Sequence, residues 1–306
     1  MTKNIRLLFK DISIICLIVF LAVCVYGCTA TRHTVQRTAV PMLATSVDDI
    51  VEKIFRQKNS AFAKEAIPGV LLLLTGLTEL APTDYNLLAT TSFVYLAYGI
   101  FVEDENNDYA ISLYKIGTDY GMRALKVNNS KFRKAVETGT PVAEAVKLLT
   151  KDDVKAVTWC GLNISKRCTL QVSTIDETTD IPDGIALMKR SIELDPKYAW
   201  GLCWMAMGIV HSVIPAFAGL GGGSEAAWNA FANANKVENG ELGLVDMFTA
   251  RYLAPLLKDR DWYDQLNNRV IEMDPCKLKG GLCMLNELAK QKARYNMEHK
   301  DRYCGY

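Results

Sequence analysis

The sequence predicts an all-α fold in which one closed array of helices surrounds a large apolar core. Half of the 306 residues are apolar, which is enough to build such a core. Apolar residues recur at helical spacing, as in Leu113, Ile116 and Tyr120, whereas alternating strand patterns are almost absent. Prolines stand where helices can begin, because the missing N–H of proline is harmless in a first helical turn. These prolines are Pro68, Pro82, Pro141, Pro182, Pro196 and Pro275.

The N-terminus has the composition of an export signal. Lys3, Arg6 and Lys10 form a basic head before an uncharged stretch that runs from Ile12 to Val25. That stretch is shorter than the roughly 20 residues that a membrane-spanning helix needs, although a short membrane anchor stays open as the alternative. The pattern favours a cleaved signal peptide.

The segment that follows indicates lipid attachment. Val25-Tyr-Gly-Cys28 resembles the lipobox of bacterial lipoproteins, which predicts a signal peptide over residues 1–27 and a lipid-modified Cys28. Residues 28–46 are rich in Thr and Ala and are expected to form a flexible tether, and residues 47–306 are expected to form the helical domain. Thr29 is not Asp, which favours the periplasmic face of the outer membrane over the inner membrane.

Charge and motifs exclude several classes of function. The 35 Lys+Arg and 34 Asp+Glu residues leave no basic surface for nucleic acid. No Gly-x-Ser-x-Gly, His-Glu-x-x-His, Walker or Cys-x-x-Cys motif occurs, so we predict no enzyme, no cofactor and no metal site. The Gly-rich run from Gly219 to Gly223 predicts an interhelical turn, capped by Ser224, rather than a phosphate cradle.

Six cysteines remain in the predicted mature chain beside Cys28. Export permits disulfides, but spacings of eight and seven residues lie beyond disulfide reach along one continuous helix. Buried or free thiols are therefore favoured over disulfides, with both left open. The six are Cys160, Cys168, Cys203, Cys276, Cys283 and Cys304.

A repeat is visible within the helical region. Glu79-Leu-Ala-Pro, Glu193-Leu-Asp-Pro and Glu272-Met-Asp-Pro are three versions of one phrase, each predicted to close an apolar helix. The phrases are irregularly spaced, so the repeats are degenerate. They are expected to close on themselves instead of extending as an open solenoid.

The best repeat resembles a tetratricopeptide motif. Trp204-x-x-Met-Gly208-x-x-His211 is close to the tetratricopeptide Trp-x-x-Leu-Gly-x-x-Tyr, and Ala227-x-x-x-Phe231 supplies the partner helix. Gly208 is expected to let the two helices approach closely, while Trp204 and Phe231 fill the space between them. The sequence thus predicts a tetratricopeptide-like helical array.

The order of motifs from Asp48 to Arg302 resembles the T component of tripartite ATP-independent periplasmic (TRAP) transporters. After the lipobox, these motifs are Tyr95-Leu-Ala-Tyr98-Gly, Ala156-x-x-Trp159-x-Gly161, Leu187-Met188 with Leu194-Asp-Pro196-x-Tyr198, and Pro215 with Gly221-Gly222 before Ala226 to Phe231. The resemblance implies a lipoprotein that forms a homotrimer, has a central pore or cavity in each protomer, and associates with the periplasmic substrate-binding protein, or P component.

The implied role is to capture or relay a small hydrophobic or organic-acid ligand for a TRAP permease. A lipid-anchored tetratricopeptide scaffold for envelope complexes is the alternative, and a hydrolase is a third class. Aromatic side chains offer apolar contact with a polar tip, so they are candidate pore or ligand residues. Core packing is the alternative for each candidate. Arg251 and Tyr252, on a late helix, could line either a cavity or a subunit interface. The candidates are Tyr98, Trp159, Trp200, Trp204, His211 and Tyr252.

Overall fold

The computed structural model describes residues 46–171, 180–277 and 283–305. Every regular element in these ranges is helical, which confirms the all-α prediction. Residues 1–45, with the predicted signal peptide, Cys28 and nearly all of the tether, lie outside the described residues. The helices are α1 (46–55), α2 (Ser60–Leu80), α3 (Tyr85–Val102), α4 (Asn107–Asn128), α5 (Ser130–Glu137), α6 (Val142–Ala145), α7 (Val154–Leu170), α8 (Ile181–Leu194), α9 (Leu202–Val213), α10 (Ser224–Val237), α11 (Gly243–Phe248), α12 (Ala254–Leu256), α13 (Arg260–Glu272), α14 (Cys283–Glu298) and α15 (Lys300–Cys304).

Side-chain caps fix the starts of five of these helices. In each, an Asn or Asp oxygen accepts a hydrogen bond of 2.8–3.0 Å from the backbone N–H three residues later. Such a cap satisfies one of the four N–H groups that a helix start leaves without an intrahelical partner. The caps are Asn59, Asp84, Asn106, Asn129 and Asp259.

The repeated phrase marks helix ends as predicted. α2 ends at Leu80, α8 at Leu194 and α13 at Glu272. Pro182 lies in the first turn of α8, also as predicted. Pro68 does not begin a helix, because it lies inside α2. Proline lacks the N–H that would donate a hydrogen bond within the helix, and burial of the inner face of α2 in the core compensates for this loss.

Four helix pairs make the largest packing contacts, and three of these pairs are consecutive in the sequence. The largest contacts join α3 with α4, α4 with α7, α7 with α8, and α9 with α10. One apolar core runs through these pairs, and its largest fully buried side chains include Tyr114, Phe132 and Phe248. Tetratricopeptide-like repeats and a central pore stay predictions.

α2 and α3 are each long and apolar enough to cross a membrane, by length and composition only. In α3, 78% of the most apolar window is buried inside the protein, as in a core helix. In α2 the buried share is 33%, so one side of this apolar helix remains exposed.

The cysteines correct one expectation. Cys276 and Cys283 form a disulfide with a Cα–Cα distance of 4.3 Å. The spacing argument fails here because the two residues do not share a helix. Cys276 lies in a 3₁₀ turn (Pro275–Lys277) after α13, and Cys283 begins α14. Cys160, Cys168, Cys203 and Cys304 are buried thiols, as expected.

The Gly-rich turn packs closely against the end of α9. A Cβ on Gly222 would lie 1.9 Å from the carbonyl oxygen of Ile214, so only glycine fits there. The Gly223 N–H donates a 2.8 Å hydrogen bond to the carbonyl of His211. Gly223, and not Ser224, occupies the cap position of α10, because α10 already begins at Ser224.

Gly208 brings α9 and α10 together, which confirms the prediction for this pair. A Cβ at Gly208 would lie 2.7 Å from the ring of Phe231, and that ring is 2% exposed and cannot move into solvent. Trp204, one turn earlier on α9, is half-buried and packs on the same core.

We predict that Gly208→Ala lowers the free energy of unfolding by about 1–3 kcal/mol, the usual cost of overpacking a core. Urea denaturation of the purified chain measures this change. The control is Ser112→Ala, at an exposed position of α4. Ser112→Ala should be neutral or slightly stabilising, since alanine favours a helix more than serine does. Equal stability of the two variants would contradict the close α9–α10 contact.

Candidate functional site

An apolar cavity lies in the core between α1, α3, α7, α9, α11 and α14. The volume that the centre of a water molecule can occupy is about 40 Å³. Ala97, Ala206, Ile209 and Leu288 are typical of the apolar side chains that form its wall. Among the lining residues that the structure describes, Lys166 is the one that carries a charge. We call this space the inner cavity.

A larger, open cleft of about 470 Å³ on the same measure adjoins the inner cavity. Phe55 of α1 and Phe93 of α3 belong to the walls of both spaces. Trp159, Tyr198 and Trp200 complete the aromatic lining of the cleft. This outer cleft therefore leads from solvent to the aromatic rings that also border the inner cavity.

The shared rings form a continuous stack. The centroids of Phe55 and Phe93 are 5.0 Å apart, those of Phe93 and Trp159 are 4.3 Å apart, and those of Trp159 and Tyr198 are 6.1 Å apart. The indole N–H of Trp159 is buried and donates no hydrogen bond to a described residue. Aromatic pairs at these distances add stability beyond their buried area, so the stack is a firm boundary between the two spaces.

An ion pair holds α1 over the cleft. The Nζ of Lys155, on α7, lies 2.6 Å from an Asp48 carboxylate oxygen, and the Thr90 hydroxyl of α3 donates to the same carboxylate. Val51 and Phe55 of α1 then face the cleft. The first described helix is thus one wall of the cleft, attached by polar contacts to α3 and α7.

Another wall stands on strained backbone. Ala199 and Trp200 have φ values of 50° and 57°, and Gly201 continues in the left-handed region at 74°. A non-glycine residue in this region costs about 1–2 kcal/mol. Packing of the half-buried Trp200 ring against the core holds this conformation. The 3₁₀ segment Tyr198–Gly201 therefore presents Trp200 to the cleft at an energetic cost.

A buried ion cluster lies beside the inner cavity. Glu103 pairs with Lys166 at 2.7 Å and with Lys292 at 3.0 Å, while Asp104 pairs with Lys292 at 2.7 Å and with Arg251 at 2.7 Å. The Glu103 side chain is 3% exposed and the three cations are 3–6% exposed. The formal balance of three cations and two carboxylates leaves one positive charge in the interior.

The cations keep both carboxylates ionised. Burial alone would raise the pKa of Glu103, but the ammonium groups of Lys166 and Lys292 hold that pKa at about 2. Burial opposes ionisation of Asp104 as well, yet Lys292 and Arg251 hold its pKa well below the usual range. Burial and the Glu103 charge raise the pKa of Tyr114, whose hydroxyl donates a 2.7 Å hydrogen bond to Glu103. Tyr114 therefore stays neutral beside the cluster.

A π-helical turn (Thr249–Leu253) joins α11 to α12 and serves both features. Phe248, directly before it, lines the inner cavity, and the Lys166 Nζ lies 5.0 Å from the centre of its ring. Arg251, within the turn, donates to Asp104 and also to the Asn296 amide oxygen at 2.7 Å. Single π turns inside α-helices often mark functional sites. Here the turn places an aromatic wall and a cluster cation three residues apart.

Comparison with protein families identifies the family of the chain. The family model described as TRAP transporter T-component matches residues 56–304. The chain belongs to this family. No curated protein sequence matches the chain. As a T component, it is an accessory of a TRAP transport system, and its all-helical described fold agrees with that assignment.

Two of the predicted site residues of the T component, Trp159 and Trp200, lie together in the outer cleft. Tyr98 is buried on α3 with its ring edge-to-face against Tyr109, and it lines neither the cleft nor the inner cavity. Trp204 packs on the core, half-buried. For these residues a role in ligand contact stays a prediction.

His211 and Tyr252 are also placed away from both spaces. His211 is buried on α9, and burial, with a smaller contribution from Lys189, lowers the pKa of its imidazole. Tyr252 lies in the π-helical turn with its ring 6.1 Å from that of Phe248, and burial raises the pKa of its hydroxyl. Within the described ranges, no group of three His, Cys, Asp or Glu side chains could hold a metal ion.

Sequence reasoning missed the ion cluster. No motif or spacing in the sequence marks Glu103, Asp104, Lys166 or Lys292. The partners are far apart in the chain, because Glu103 and Lys292 are 189 positions apart and Asp104 and Arg251 are 147 positions apart. The one available signal is a lone lysine in each of two otherwise apolar helical faces, since a buried lysine needs a partner.

We predict that Glu103→Gln destabilises the T component by about 3–5 kcal/mol, because it leaves three buried cations with one carboxylate. Urea denaturation measures the loss. The control is Glu52→Gln, which removes an exposed ion pair with Arg56 whose side chains are 51% and 52% exposed. That change should cost less than about 1 kcal/mol. A loss at Glu103 no larger than at Glu52 would contradict the energetic role of the cluster.

The pH dependence follows from the same carboxylate. The pKa of Glu103 is lowered in the folded state, so its contribution is complete above the unfolded value of about 4.3 and is lost as the pH falls through about 2. The wild-type protein should therefore lose stability over this window. Glu103→Gln should lose less, because it has no group at position 103 to protonate.

Proposed function

We propose that this T component is a lipid-anchored periplasmic accessory that captures or relays a small ligand for a TRAP permease and docks the substrate-binding protein, its P component. The observation that carries the proposal is the inner cavity with its adjoining aromatic cleft, within a chain of this family. Apolar cavities with few polar groups are the usual form of small-ligand sites. Membership in a transport accessory family gives no reason to expect catalysis.

The proposed location is the periplasmic face of the outer membrane, with lipid on Cys28. The lipobox and Thr29 support it, and so does the Cys276–Cys283 disulfide, because disulfides persist in oxidising compartments such as the periplasm. Several acyl chains hold a protein on a membrane durably, whereas one chain holds it only marginally. The helical domain would thus stay near the membrane without entering it.

The proposed homotrimer is supported by the outer face of α2. Phe62, Leu72 and Leu73 are 59%, 77% and 58% exposed, and Gly69 and Gly76 face open space. The stripe formed by positions 62, 66, 69, 73, 76 and 80 alternates spacings of four and three, the seam along which one helix packs on another. An exposed apolar stripe of this kind is typical of an interface between protein chains. We propose a second copy of the chain as its partner.

We predict that Cys28→Ala abolishes incorporation of labelled palmitate and leaves the precursor unprocessed, with docking preserved. Affinity capture from detergent-solubilised envelopes, followed by mass spectrometry, should recover a periplasmic solute-binding protein and a TRAP permease with the wild-type chain. The unlipidated variant should still recover the solute-binding protein. Cys24→Ala is the matched control and should be lipidated normally.

Two results would contradict this proposal. Normal lipid labelling of Cys28→Ala would reject the anchor. Recovery of envelope-assembly proteins, with no solute-binding protein or permease, would instead support a lipid-anchored scaffold.

We predict that Leu73→Glu converts the trimer to a monomer, because a carboxylate in the α2 stripe would be buried without a partner. Sedimentation velocity measures the mass, and circular dichroism checks that the helices remain. The control is Leu148→Glu, at a position 39% exposed on a different part of the surface. A wild-type protein that sediments as a monomer would overturn the trimer. A trimer that survives Leu73→Glu would exclude the α2 face as its interface.

A further inference from the structure

A short apolar loop projects from the surface between α9 and α10. Both of its ends are attached to the core, because Ile214 is buried and Leu220 packs against buried side chains. Residues 215–219 lie between these ends and are all exposed. Phe217 is 91% exposed, more than any other large apolar side chain in the described ranges. We call residues 215–219 the apolar loop.

Backbone contacts fix the conformation of the apolar loop. The N–H of Ala218 donates a 3.0 Å hydrogen bond to the carbonyl of Pro215 and closes a 3₁₀ turn. Behind the loop, the N–H of Gly223 donates to the carbonyl of His211 on α9. The backbone therefore holds Phe217 away from the core, where its ring adds nothing to the buried apolar area of the described fold.

The composition of the loop favours a lipid surface over a protein partner. From Val213 to Gly223 every side chain is apolar, and the glycines have none, so the segment offers no side-chain hydrogen bond. Protein–protein interfaces have a polar rim and about one hydrogen bond per 100–200 Å². Acyl chains form no hydrogen bonds and accept an apolar side chain without a polar partner. The turn hydrogen bond and the missing N–H of Pro215 also leave fewer backbone groups to lose water in lipid.

Polar and charged groups surround the base of the loop. Exposed Ser224 and Glu225 follow it at the start of α10. The imidazole of His211 lies beside the base, because a Cβ on Gly221 would be 3.8 Å from its ring. Burial lowers the pKa of this imidazole most, and the nearby charge of Lys189, an exposed residue of α8, lowers it further. An apolar tip above a base with charges of both signs matches the boundary between acyl chains and lipid headgroups.

The proposed anchor brings a membrane within reach of the loop. Residues 29–45 of the tether span at most about 60 Å when extended. The tether leads to α1, whose Val51 shares the outer cleft with Trp200, just before α9. The apolar loop follows the other end of α9, which has 12 residues and is about 18 Å long. The tether is therefore long enough for the loop to touch the membrane that holds the anchor.

We propose that the apolar loop inserts into the membrane that carries the lipid anchor, with Phe217 at the boundary between headgroups and acyl chains. This inference rests on the proposed anchor at Cys28 and adds a second membrane contact, which sets the orientation of the domain. One aromatic side chain binds a membrane weakly by itself, but the anchor keeps the loop at a high effective concentration beside the lipid. The helices stay outside the bilayer, and only the tip of the loop enters it.

The test locates the loop in the lipidated full-length protein, reconstituted in vesicles of phosphatidylethanolamine and phosphatidylglycerol. Ala218→Cys places a nitroxide spin label on the loop and leaves Phe217 unchanged. The native cysteines within the described ranges are buried or form the Cys276–Cys283 disulfide, so the label reacts at the new position. Electron paramagnetic resonance then compares collisions of the label with oxygen, which concentrates in lipid, and with a nickel chelate, which stays in water. The label at position 218 should favour oxygen.

Two further variants complete the test. Leu148→Cys is the matched control, because it carries the label on another 3₁₀ turn, at a position that is 39% exposed, and it should favour the nickel chelate. Phe217→Asp, added to Ala218→Cys, should move the label from lipid to water. The balance between the two should shift by about 10- to 100-fold, the range for burial of one large apolar side chain. The fold should survive this change, because Phe217 is exposed in the protein, and circular dichroism checks it.

The outcomes separate the loop from the anchor on which it depends. A wild-type protein that fails to float with the vesicles would overturn the anchor and this inference together. A protein that floats, with a label at position 218 that favours the nickel chelate, would keep the anchor and overturn the membrane contact of the loop. A label shielded from both reagents would show that a protein surface covers the loop, which also overturns the proposal. A label that still favours oxygen after Phe217→Asp would overturn the role of Phe217.

Discussion

The buried ion cluster is the constraint on which the rest of this structure depends. It joins the α3–α4 turn to α7, to the π-helical turn and to α14, four segments that are distant in the chain. Both carboxylates depend on these cations, because a buried carboxylate without a partner costs several kcal/mol. The cluster therefore fixes how the C-terminal helices pack on the N-terminal ones. It also lies beside the inner cavity, whose wall includes the methylene chain of Lys166.

The cavity and the cleft depend on that frame in different ways. The inner cavity is bordered by helices that the cluster holds, whereas two cleft walls rest on local features. One is α1, attached through Asp48, and the other is the left-handed segment that carries Trp200. The ion cluster thus fixes the helices around the inner cavity. Fewer polar contacts hold the outer walls of the cleft. A ligand that enters from solvent would meet these outer walls first.

Much of the fold follows from local rules, which is why the sequence predicts it. The repeated Pro phrases end α2, α8 and α13, and Gly208 meets Phe231 because a Trp-x-x-Met-Gly pattern requires a close helix pair. Trp159 and Trp200 were predicted on aromatic character alone. The ion cluster and the Cys276–Cys283 disulfide could not be predicted in this way, since both depend on how distant or non-helical segments meet. No spacing pattern in one sequence links Glu103 to Lys292.

The position of α1 has a mechanical consequence. The helix is described from residue 46 onward and supplies Val51 and Phe55 to the cleft. With lipid on Cys28, the 17 residues from 29 to 45 would separate the anchor from the described part of this helix, a tether that spans at most about 60 Å when fully extended. The cleft could then move no farther from the membrane than the extended tether allows. Tension in the tether would act first on α1, which forms one wall of the cleft. The distance of the domain from the membrane and the access of a ligand to the aromatic stack would therefore be mechanically linked.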